Sequence, residues 1–456
     1  MTTVVRVIGG GLAGAEAAHQ LARRGVAVEL FEMRPITKTD AHATGDLGEL
    51  VCSNSLRSNL LSAPAGLLKE EMRRLGSLVI RLAEAHRVPA GSALAVDRAA
   101  FARAVTEVLE TLPLLKITRR EVTDVGGGLA IIATGPLTSP ALSTQLSAIL
   151  GEEHLYFYDA ISPIVTAESI DMRVAYRAAR YGHGDEDYIN LPLGQDQYYR
   201  FVAALRSAER VPTHSFERFV PFEGCMPIEE MADRGPETLA FGPMRAVGLI
   251  DPRTGKRPYA VVQLRQENRE RTLYNLVGFQ TKMTYPEQRR VLALIPGLER
   301  AEYVRLGSLH RNTFINAPAH LHPTLQWRGS PDIFFAGQMI GVEGYIESAA
   351  TGIVAGINVA RLLAGQPLVV PPPTSALGAL LRYISDPERK RFQPMNVNFG
   401  LLPPLPERLR GKAKKELMSH RALADLESWM AETRAGDIDL NCLKPLVSSF
   451  HKAALP

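Results

Sequence analysis

The chain has 456 residues, 46% of them hydrophobic and 22% charged, with a net charge of +4, typical of a folded globular protein of about two to four domains. This composition excludes a chain that is mainly disordered, collagen-like or coiled-coil, and the sequence shows neither an apolar run of about 18 residues nor a secretory signal. Three cysteines are too few for a disulfide framework, so we expect a cytoplasmic protein without a membrane partner.

A glycine-rich turn follows the first apolar run. Residues 4–8 are β-rich, and residues 15–24 have the pattern of a helix. Between them, the motif G-x-G-x-x-G comprises Gly9, Gly10, Gly11, Leu12, Ala13 and Gly14. Its first glycine allows a tight turn, the second lets the backbone approach a pyrophosphate, and the third lets the helix pack on the strand. Because the helix N-terminus presents free N–H groups to phosphates, we predict a dinucleotide site here.

The next strand ends in an acidic residue. Residues 26–31 are again β-rich, and Glu32 follows them directly. A carboxylate at this place accepts hydrogen bonds from a ribose and disfavours a 2′-phosphate, which argues against NADP as the bound dinucleotide. The alternative is a glycine turn in another kind of α/β protein, but the order of strand, turn, helix, strand and acid favours the dinucleotide site.

Two later apolar runs indicate that the dinucleotide is FAD. Residues 129–133 end in Ala-Thr-Gly, which resembles the second flavin-side motif of two-dinucleotide-fold flavoproteins. Residues 333–337 lead into a helix over 345–362, whose N-terminus would stabilise negative charge on a reduced flavin ring. The alternative is an ordinary buried strand–helix pair. The candidate flavin contacts are Ala133, Thr134, Gly135, Gly337, Gly341 and Gly344.

The predicted FAD-binding motifs lie in the first third of the chain and again after residue 330, and together they predict an α/β fold. It would have a Rossmann-like FAD-binding domain of the two-dinucleotide-fold flavoprotein type with an inserted α+β domain. The predicted units are residues 1–160 and 326–370 for the FAD-binding domain, 161–325 for the inserted domain and 371–456 for a basic, mainly helical C-terminal region. The proline run at its start has the composition of a stiff linker, and helices are predicted at 375–384 and 405–432.

Positive charge is concentrated near the C-terminus. Residues 382–421 contain ten Lys or Arg and four Asp or Glu, so the rest of the chain is close to neutral. A basic segment beside a neutral body favours a polyanionic partner, and the alternative is a solvated helix face.

The cysteines are Cys52, Cys225 and Cys442. None belongs to a CxxC pair and no His/Cys cluster has zinc spacing, so no metal site is predicted. Taken alone, a cysteine is more often a small buried apolar residue than a nucleophile. Polar neighbours favour a reactive role for Cys52 and Cys225, and Arg57 is placed to favour the Cys52 thiolate. Cys442 is interpreted as structural.

Several blocks resemble the TrmFO family, the folate- and FAD-dependent tRNA (uracil-5-)-methyltransferases, from about residue 4 to 415. The similar blocks are residues 9–14, 31–35, 49–57, 222–229, 241–244, 262–265, 277–281, 337–352 and 392–400. Family members commonly have Cys and Met where this chain has Leu191 and Leu193. That departure argues against an essential thiol there and leaves Cys52 and Cys225 as candidates. The tail beyond about residue 425 differs from the family pattern.

The resemblance implies methylation of C5 of uridine 54 in the tRNA T-loop. The carbon would come from methylenetetrahydrofolate and the reducing equivalents from NADH or NADPH through FAD; without a second Rossmann signature, the nicotinamide would bind only transiently. Thiolate addition at C6 makes C5 nucleophilic, and a base then removes the C5 proton. The resemblance favours Cys225 as nucleophile and Cys52 as proton acceptor, with the reverse assignment open.

The resemblance also makes Tyr345 a candidate for stacking on flavin or pterin, and the alternative is a packing role. Arg265 and residues 310–312 become candidate folate or RNA contacts, and the basic C-terminal segment a surface that follows RNA phosphates. Four other functions stay open: a related FAD/folate enzyme of tRNA wobble-uridine modification, an rRNA uridine C5-methyltransferase, a small-molecule flavin oxidoreductase, and a non-catalytic RNA-binding flavoprotein.

Overall fold

The computed structural model describes residues 3–39, 41–151, 155–182, 187–211, 226–389, 392–406 and 409–436. The strands are β1 (Val5–Ile8), β2 (Val28–Glu32), β3 (Ser55–Ser58), β4 (Arg87–Val88), β5 (Ala93–Val96), β6 (Leu115–Arg119), β7 (Ala130–Ile132), β8 (Leu155–Ala160), β9 (Ile164–Thr166), β10 (Tyr176–Arg177), β11 (Tyr188–Leu193), β12 (Ala260–Gln266), β13 (Leu273–Leu276), β14 (Tyr303–Arg305), β15 (Leu309–Phe314) and β16 (Ile333–Phe335). The helices are α1 (Leu12–Ala22), α2 (Pro64–Arg74), α3 (Leu78–Ala85), α4 (Arg98–Glu110), α5 (Pro140–Leu150), α6 (Gln195–Ser207), α7 (Ile228–Asp233), α8 (Thr238–Phe241), α9 (Tyr285–Leu292), α10 (Ala317–His320), α11 (Tyr345–Leu363), α12 (Ala376–Ile384) and α13 (Gly411–Thr433). Cys225 and Cys442 lie outside the described residues.

A parallel sheet with the strand order β16-β7-β1-β2-β6 holds the N-terminal motif. Its central strands are apolar at nearly every position because helices cover the sheet, as expected for parallel strands. β16 pairs with β7 although the whole inserted segment separates them in sequence. The predicted α/β fold of the Rossmann type, assembled from both ends of the chain, is therefore confirmed.

Helices α1 and α11 pack against each other at very short range. A Cβ atom added to Gly352 of α11 would lie 2.1 Å from the carbonyl oxygen of Ala13, and one added to Gly356 would lie 2.8 Å from that of Ala17. Small residues at these positions let the two backbones touch. The contact fixes the N-terminus of α11 relative to the glycine-rich turn.

The segment between β7 and β16 contains a second core. Its antiparallel sheet has the strand order β10-β11-β12-β13-β9-β14. One face packs against α6, α7 and α9, and Leu191 and Leu193 are fully buried there. The alternate residues of β11 and β12, among them Asn190 and Arg265, form a buried polar face, as the two-residue period of a strand requires.

The inserted unit ends earlier than the predicted residue 325. β8 pairs antiparallel with β15, so the chain leaves and re-enters the first unit through one ladder. Ile315, Ala317, Leu321 and Leu325 then pack in the core of the parallel sheet. Their apolar periodicity does not reveal which of two cores they join, which is why the sequence boundary was too late.

The C-terminal region shares the core of the parallel sheet. α12 and α13 pack on α2 and contribute Leu377, Leu380 and Leu423 to that core. The buried carboxyl group of Glu71 on α2 accepts the N–H groups of Ala376 and Leu377 at 2.7 and 2.9 Å, which caps α12. The proline run is therefore not a linker to an independent unit. α13 begins at residue 411 instead of the predicted 405.

Among the described residues, α11 is long and apolar enough to cross a membrane by length and composition. However, 78% of its apolar window is buried inside the protein. Burial of this extent is typical of the central helix of a globular core, so α11 is no sign of a membrane partner.

Candidate active site

A deep cleft opens at the carboxyl ends of β1, β2 and β7, where β2 and β7 lie on opposite sides of β1. It has about 1000 Å³ of free space and is lined by the glycine-rich turn, the end of β2, the segment after β7 and the start of α11. In open α/β sheets this edge is where ligands bind. The cleft therefore brings together the two halves of the predicted FAD-binding domain.

The glycine-rich turn is shaped for close backbone approach. Gly9 has a φ of +106°, and a Cβ atom on Gly14 would lie 1.8 Å from the carbonyl oxygen of Gly9. By contrast, a Cβ atom on Gly11 would meet no heavy atom within 4 Å. Gly9 and Gly14 are thus required by the fold itself, whereas Gly11 leaves open space at the N-terminus of α1. That space fits a pyrophosphate.

Glu32 lies at the floor of the cleft and is only 5% exposed. It accepts the backbone N–H of Gly10 at 3.0 Å and two guanidinium hydrogen bonds from Arg34, at 3.0 and 3.1 Å. Burial raises the pKa of Glu32, but the hydrogen bonds and charge of Arg34 outweigh it and hold the pKa below its ordinary value. A fourth hydrogen bond comes from the backbone N–H of Arg34 at 2.9 Å, so the side chain is an ionised acceptor that a ribose hydroxyl reaches by displacing one of these donors.

The predicted flavin-side residues divide into two groups. Ala133, Thr134, Gly135, Gly337 and Tyr345 line the cleft. Gly341 and Gly344 do not: a Cβ atom on Gly341 would lie 2.2 Å from the Phe392 ring, and one on Gly344 would meet Glu347 and Arg57. These two glycines let Phe392, Glu347 and Arg57 pack closely against the backbone before α11.

Cys52 lies in a turn at the Tyr345 end of the cleft. The backbone N–H groups of Cys52 and Ser53 both donate to the Tyr345 hydroxyl, at 2.7 and 3.0 Å. The thiol is free and half-buried, with Sγ 3.8 Å from the carbonyl oxygen of Ala160 at the end of β8. Burial, together with the nearby Cys52, raises the pKa of Tyr345, so its phenol stays neutral. Tyr345 therefore positions the Cys52 turn, a role that the sequence did not predict.

Three arginines donate hydrogen bonds to the same turn. Arg98 donates to the carbonyl oxygens of Leu50 and Val51, at 2.6 and 3.2 Å, and pairs with Glu267. Arg305 donates to the carbonyl oxygens of Val51 and Cys52, at 3.0 and 3.3 Å. Together with Arg265, they give the turn a cationic surround.

Arg265 reaches the turn from β12. Its guanidinium donates to Asn54 Oδ1 at 2.8 Å and Ser53 Oγ at 2.7 Å. Arg265 also lies in line with Arg305 across the sheet. Their cross-strand neighbours connect them in the order Arg265, Asn275, Ile164 and Arg305. One line of cross-strand neighbours in the inserted sheet therefore supplies two of the arginines that contact the Cys52 turn. The side chains of residues 310 and 311 lie outside what the structure describes.

Arg57 does not have the role that we predicted for it. Its guanidinium pairs with the buried carboxylate of Glu347 on α11, and its backbone has a φ of +62°. The cations around Cys52 are instead Arg98, Arg265 and Arg305, which belong to distant segments. In the described ranges, no group of three or more His, Cys, Asp or Glu side chains is placed to hold a metal ion.

Comparison with known proteins identifies the family of the chain. The family profile described as "GIDA: Glucose inhibited division protein A" matches residues 4–367. A Geobacter sulfurreducens protein named methylenetetrahydrofolate–tRNA-(uracil-5-)-methyltransferase TrmFO is 58% identical over 433 residues, which are 94% of this chain and 100% of that protein. The protein of the same name from Desulforudis audaxviator is 58% identical over 440 residues, 96% of this chain and 100% of the relative.

Solved structures agree on the architecture. GidA of Aquifex aeolicus superposes with a TM-score of 0.71 at 17% identity, covering 99% of this chain and 79% of that chain. A likeness at this identity shows the fold. The curated relatives confirm the resemblance found in the sequence. The chain belongs to the Glucose inhibited division protein A family and, within it, to the group of relatives named methylenetetrahydrofolate–tRNA-(uracil-5-)-methyltransferase TrmFO.

Proposed function

We propose that this protein transfers the methylene carbon of methylenetetrahydrofolate to C5 of a tRNA uridine and reduces it to a methyl group. The observation that carries the proposal is the position of a free thiol, Cys52, at the Tyr345 end of a dinucleotide cleft. Relatives that bear the name of this activity match nearly the whole chain. The target is uridine 54 of the T-loop, and the reaction takes place in the cytoplasm.

The residues of the cleft fit FAD. The open N-terminus of α1 at Gly11 offers N–H groups to the pyrophosphate, and ionised Glu32 accepts a ribose hydroxyl in place of one of its Arg34 donors. The start of α11, at Tyr345 and Ser348, directs the positive end of a helix dipole into the other end of the cleft. FAD bound there supplies the hydride that converts the methylene group to methyl, with NADH or NADPH as the source of electrons.

Two thiols divide the chemistry at the uracil ring. The Cys225 thiolate adds to C6, which makes C5 nucleophilic enough to attack the methylene carbon of folate. The Cys52 thiolate accepts the C5 proton as the C–N bond to the methylene carbon breaks and tetrahydrofolate leaves. Hydride addition to the resulting exocyclic methylene and elimination of Cys225 from C6 then give the methylated, aromatic ring. The role of Cys225 follows the resemblance alone, whereas that of Cys52 also rests on its place in a turn that Arg98, Arg265 and Arg305 hold at the end of the cleft.

The RNA must present its base to the cleft. Lys412, Lys414 and Lys415 are exposed on the first turns of α13, and such side chains bind phosphates without reading sequence. Because C5 of a stacked uridine in a folded loop is out of reach, the target base has to flip out of the T-loop.

The test is release of tritium from a tRNA transcript that carries tritium at C5 of its uridines. FAD-loaded protein with NADH or NADPH should release tritium to water only when methylenetetrahydrofolate is present, and the release should disappear from a transcript with cytidine at position 54. Equal release from the cytidine transcript would contradict the T-loop target. No release from either transcript, with FAD bound and reducible, would contradict the reaction itself.

The roles of the thiols are tested with tRNA containing 5-fluorouridine, which traps the C6 adduct. Cys225→Ser should abolish the covalent complex and Cys52→Ser should retain it. The opposite pattern would exchange the two roles.

A further inference from the structure

A second cavity, of about 700 Å³, lies beside the Cys52 turn and outside the dinucleotide cleft. Its walls come from β14, the first turns of α9 and the loop that follows β14. β14 is the edge strand of the inserted sheet, so the cavity is open to solvent on one side. The proposed reaction assigns no role to this cavity.

The lining of this cavity is rich in hydrogen-bond donors. Arg289, Arg305, Tyr285 and Tyr303 contribute to it, and no Asp or Glu is among its described lining residues. Arg305 Nε and the Tyr303 hydroxyl are buried without a hydrogen-bond partner in the described part of the chain. Buried donors without partners are rare in folded proteins, and a ligand that accepts hydrogen bonds would satisfy both.

The charge state of these groups also favours an anion. Burial raises the pKa of Tyr303 to about 12, against the opposing charge of Arg289, so the phenol remains a donor at neutral pH. Burial and the charge of Arg98 lower the pKa of Arg305 to about 10, which still leaves the guanidinium cationic. Two cations and two phenols, with no opposing carboxylate among the described lining residues, fit a carboxylate or a phosphate.

Arg305 connects this cavity to the candidate active site. Its Nη1 and Nη2 hold the carbonyl oxygens of Val51 and Cys52, while its Nε has no partner. An oxyanion bound to Arg305 Nε would therefore contact the same guanidinium that holds the Cys52 turn. Arg305 is therefore shared between the wall of the cavity and the turn that carries Cys52.

We propose that this cavity is a subsite for an oxyanion carried by one of the two substrates. The source is either a carboxylate of the glutamate tail of folate or a phosphate next to the target uridine. The identity of the ligand rests on the proposed function, whereas the anion site stands on the donors of the cavity.

The test compares two neighbouring arginines of α9. Arg289→Gln removes a cation from the cavity wall. Arg290→Gln is the matched control, because it removes the same charge from the same helix but its guanidinium pairs with Glu287 at 2.6 and 2.8 Å. FAD-loaded protein is titrated with methylenetetrahydrofolate carrying one or five glutamates and with a T-arm RNA hairpin. Tyr303→Phe, checked by thermal unfolding, removes one donor without changing charge.

Arg289→Gln should weaken the binding of one probe about tenfold, the effect of losing one charge-assisted hydrogen bond, whereas Arg290→Gln should change it less than about twofold. Weaker folate binding, greater for five glutamates than for one, assigns the carboxylate. Weaker RNA binding, with the slope of log K against log salt reduced by about one, assigns the phosphate. If Arg289→Gln and Tyr303→Phe bind all probes as the control does, the subsite is refuted.

The outcome separates this inference from the proposed function. If the wild-type protein methylates tRNA and Arg289→Gln binds like the control, only the subsite is wrong. If the wild-type protein does not methylate tRNA but Arg289→Gln loses affinity for a probe, the anion site stands and the proposed function fails.

Discussion

Tyr345→Phe tests whether the phenol hydroxyl, rather than the ring, is what the Cys52 turn needs. The substitution keeps the ring that lines the cleft and removes the acceptor of two backbone N–H groups, at 2.7 and 3.0 Å. Each donor left unsatisfied costs about 1–3 kcal/mol when fully buried. Because Cys52 and Ser53 are half-buried and water replaces part of the loss, we expect the free energy of unfolding to fall by about 2 kcal/mol.

Turnover should fall more than affinity in this variant. A displacement of a reacting group by about 1 Å costs up to about 100-fold in rate, so we expect kcat to fall between about 10- and 100-fold. FAD content and KM for folate should stay within about twofold, since the ring and the cleft are unchanged. The assays are urea unfolding of the FAD-loaded protein, flavin absorbance per chain, and tritium release under saturating substrate.

Tyr383→Phe is the matched control, because its hydroxyl donates to the carbonyl oxygen of Gln393 and does not touch the cleft. Unchanged stability and kcat in Tyr345→Phe would refute the positioning role. Loss of FAD with an unperturbed kcat in the remaining holoenzyme would show that the hydroxyl serves the cofactor and not Cys52.

Three further predictions address the cleft, the C-terminal core and the RNA surface. Gly14→Ala places a Cβ atom 1.8 Å from the Gly9 carbonyl oxygen, so flavin absorbance per chain should be lost and the Tm should fall, whereas Gly127→Ala, whose Cβ meets nothing within 4 Å, should retain both. Burial raises the pKa of the Glu71 carboxyl group from 4.5 to about 8, so the folded state holds this proton more tightly than the unfolded chain. The free energy of unfolding should therefore fall as pH rises from about 4.5 to about 8, by up to about 1.4 kcal/mol per pH unit. Glu71→Gln should remove that component of the slope in urea unfolding between pH 5 and 8, and Glu70→Gln, half-buried on the same helix, should keep it. Replacing Lys412, Lys414 and Lys415 together by Ala should weaken T-arm binding and reduce the slope of log K against log salt by about two to three, whereas Lys116→Ala should not.

Each of these has a contradicting outcome. Normal flavin content in Gly14→Ala would mean that the turn tolerates a side chain. An unchanged pH slope in Glu71→Gln would mean that Glu71 is ionised in the folded protein. Equal RNA affinity in the triple lysine variant would move the phosphate contacts to another surface.

The parts of this site that local sequence encodes were predictable. The glycine-rich turn and Glu32 are set by neighbouring residues, because strand, turn and helix follow each other without interruption. The flavin-side strands β7 and β16 were found for the same reason. Gly341 and Gly344 stay predictions, because a glycine marks a need for close approach or positive φ, and sequence does not tell whether a ligand or a protein side chain fills the space.

The surround of Cys52 was mostly not predictable. Arg57 is five residues from Cys52 but pairs with Glu347, which is 290 residues further along the chain. Arg98 and Arg305 carry no motif, and the register of strands within the inserted sheet aligns Arg265 with Arg305. A lone arginine in a sequence gives no indication of such long-range placement.

The most direct test of the central claim is the origin of the methyl carbon. FAD-loaded protein is incubated with unmodified tRNA transcript, NADH or NADPH, methylenetetrahydrofolate labelled with ¹³C in the methylene group, and unlabelled S-adenosylmethionine, and the nucleosides are analysed by mass spectrometry. The account predicts 5-methyluridine at position 54 with the ¹³C label in its methyl group. Unlabelled 5-methyluridine, or none while FAD remains bound and reducible, would contradict it.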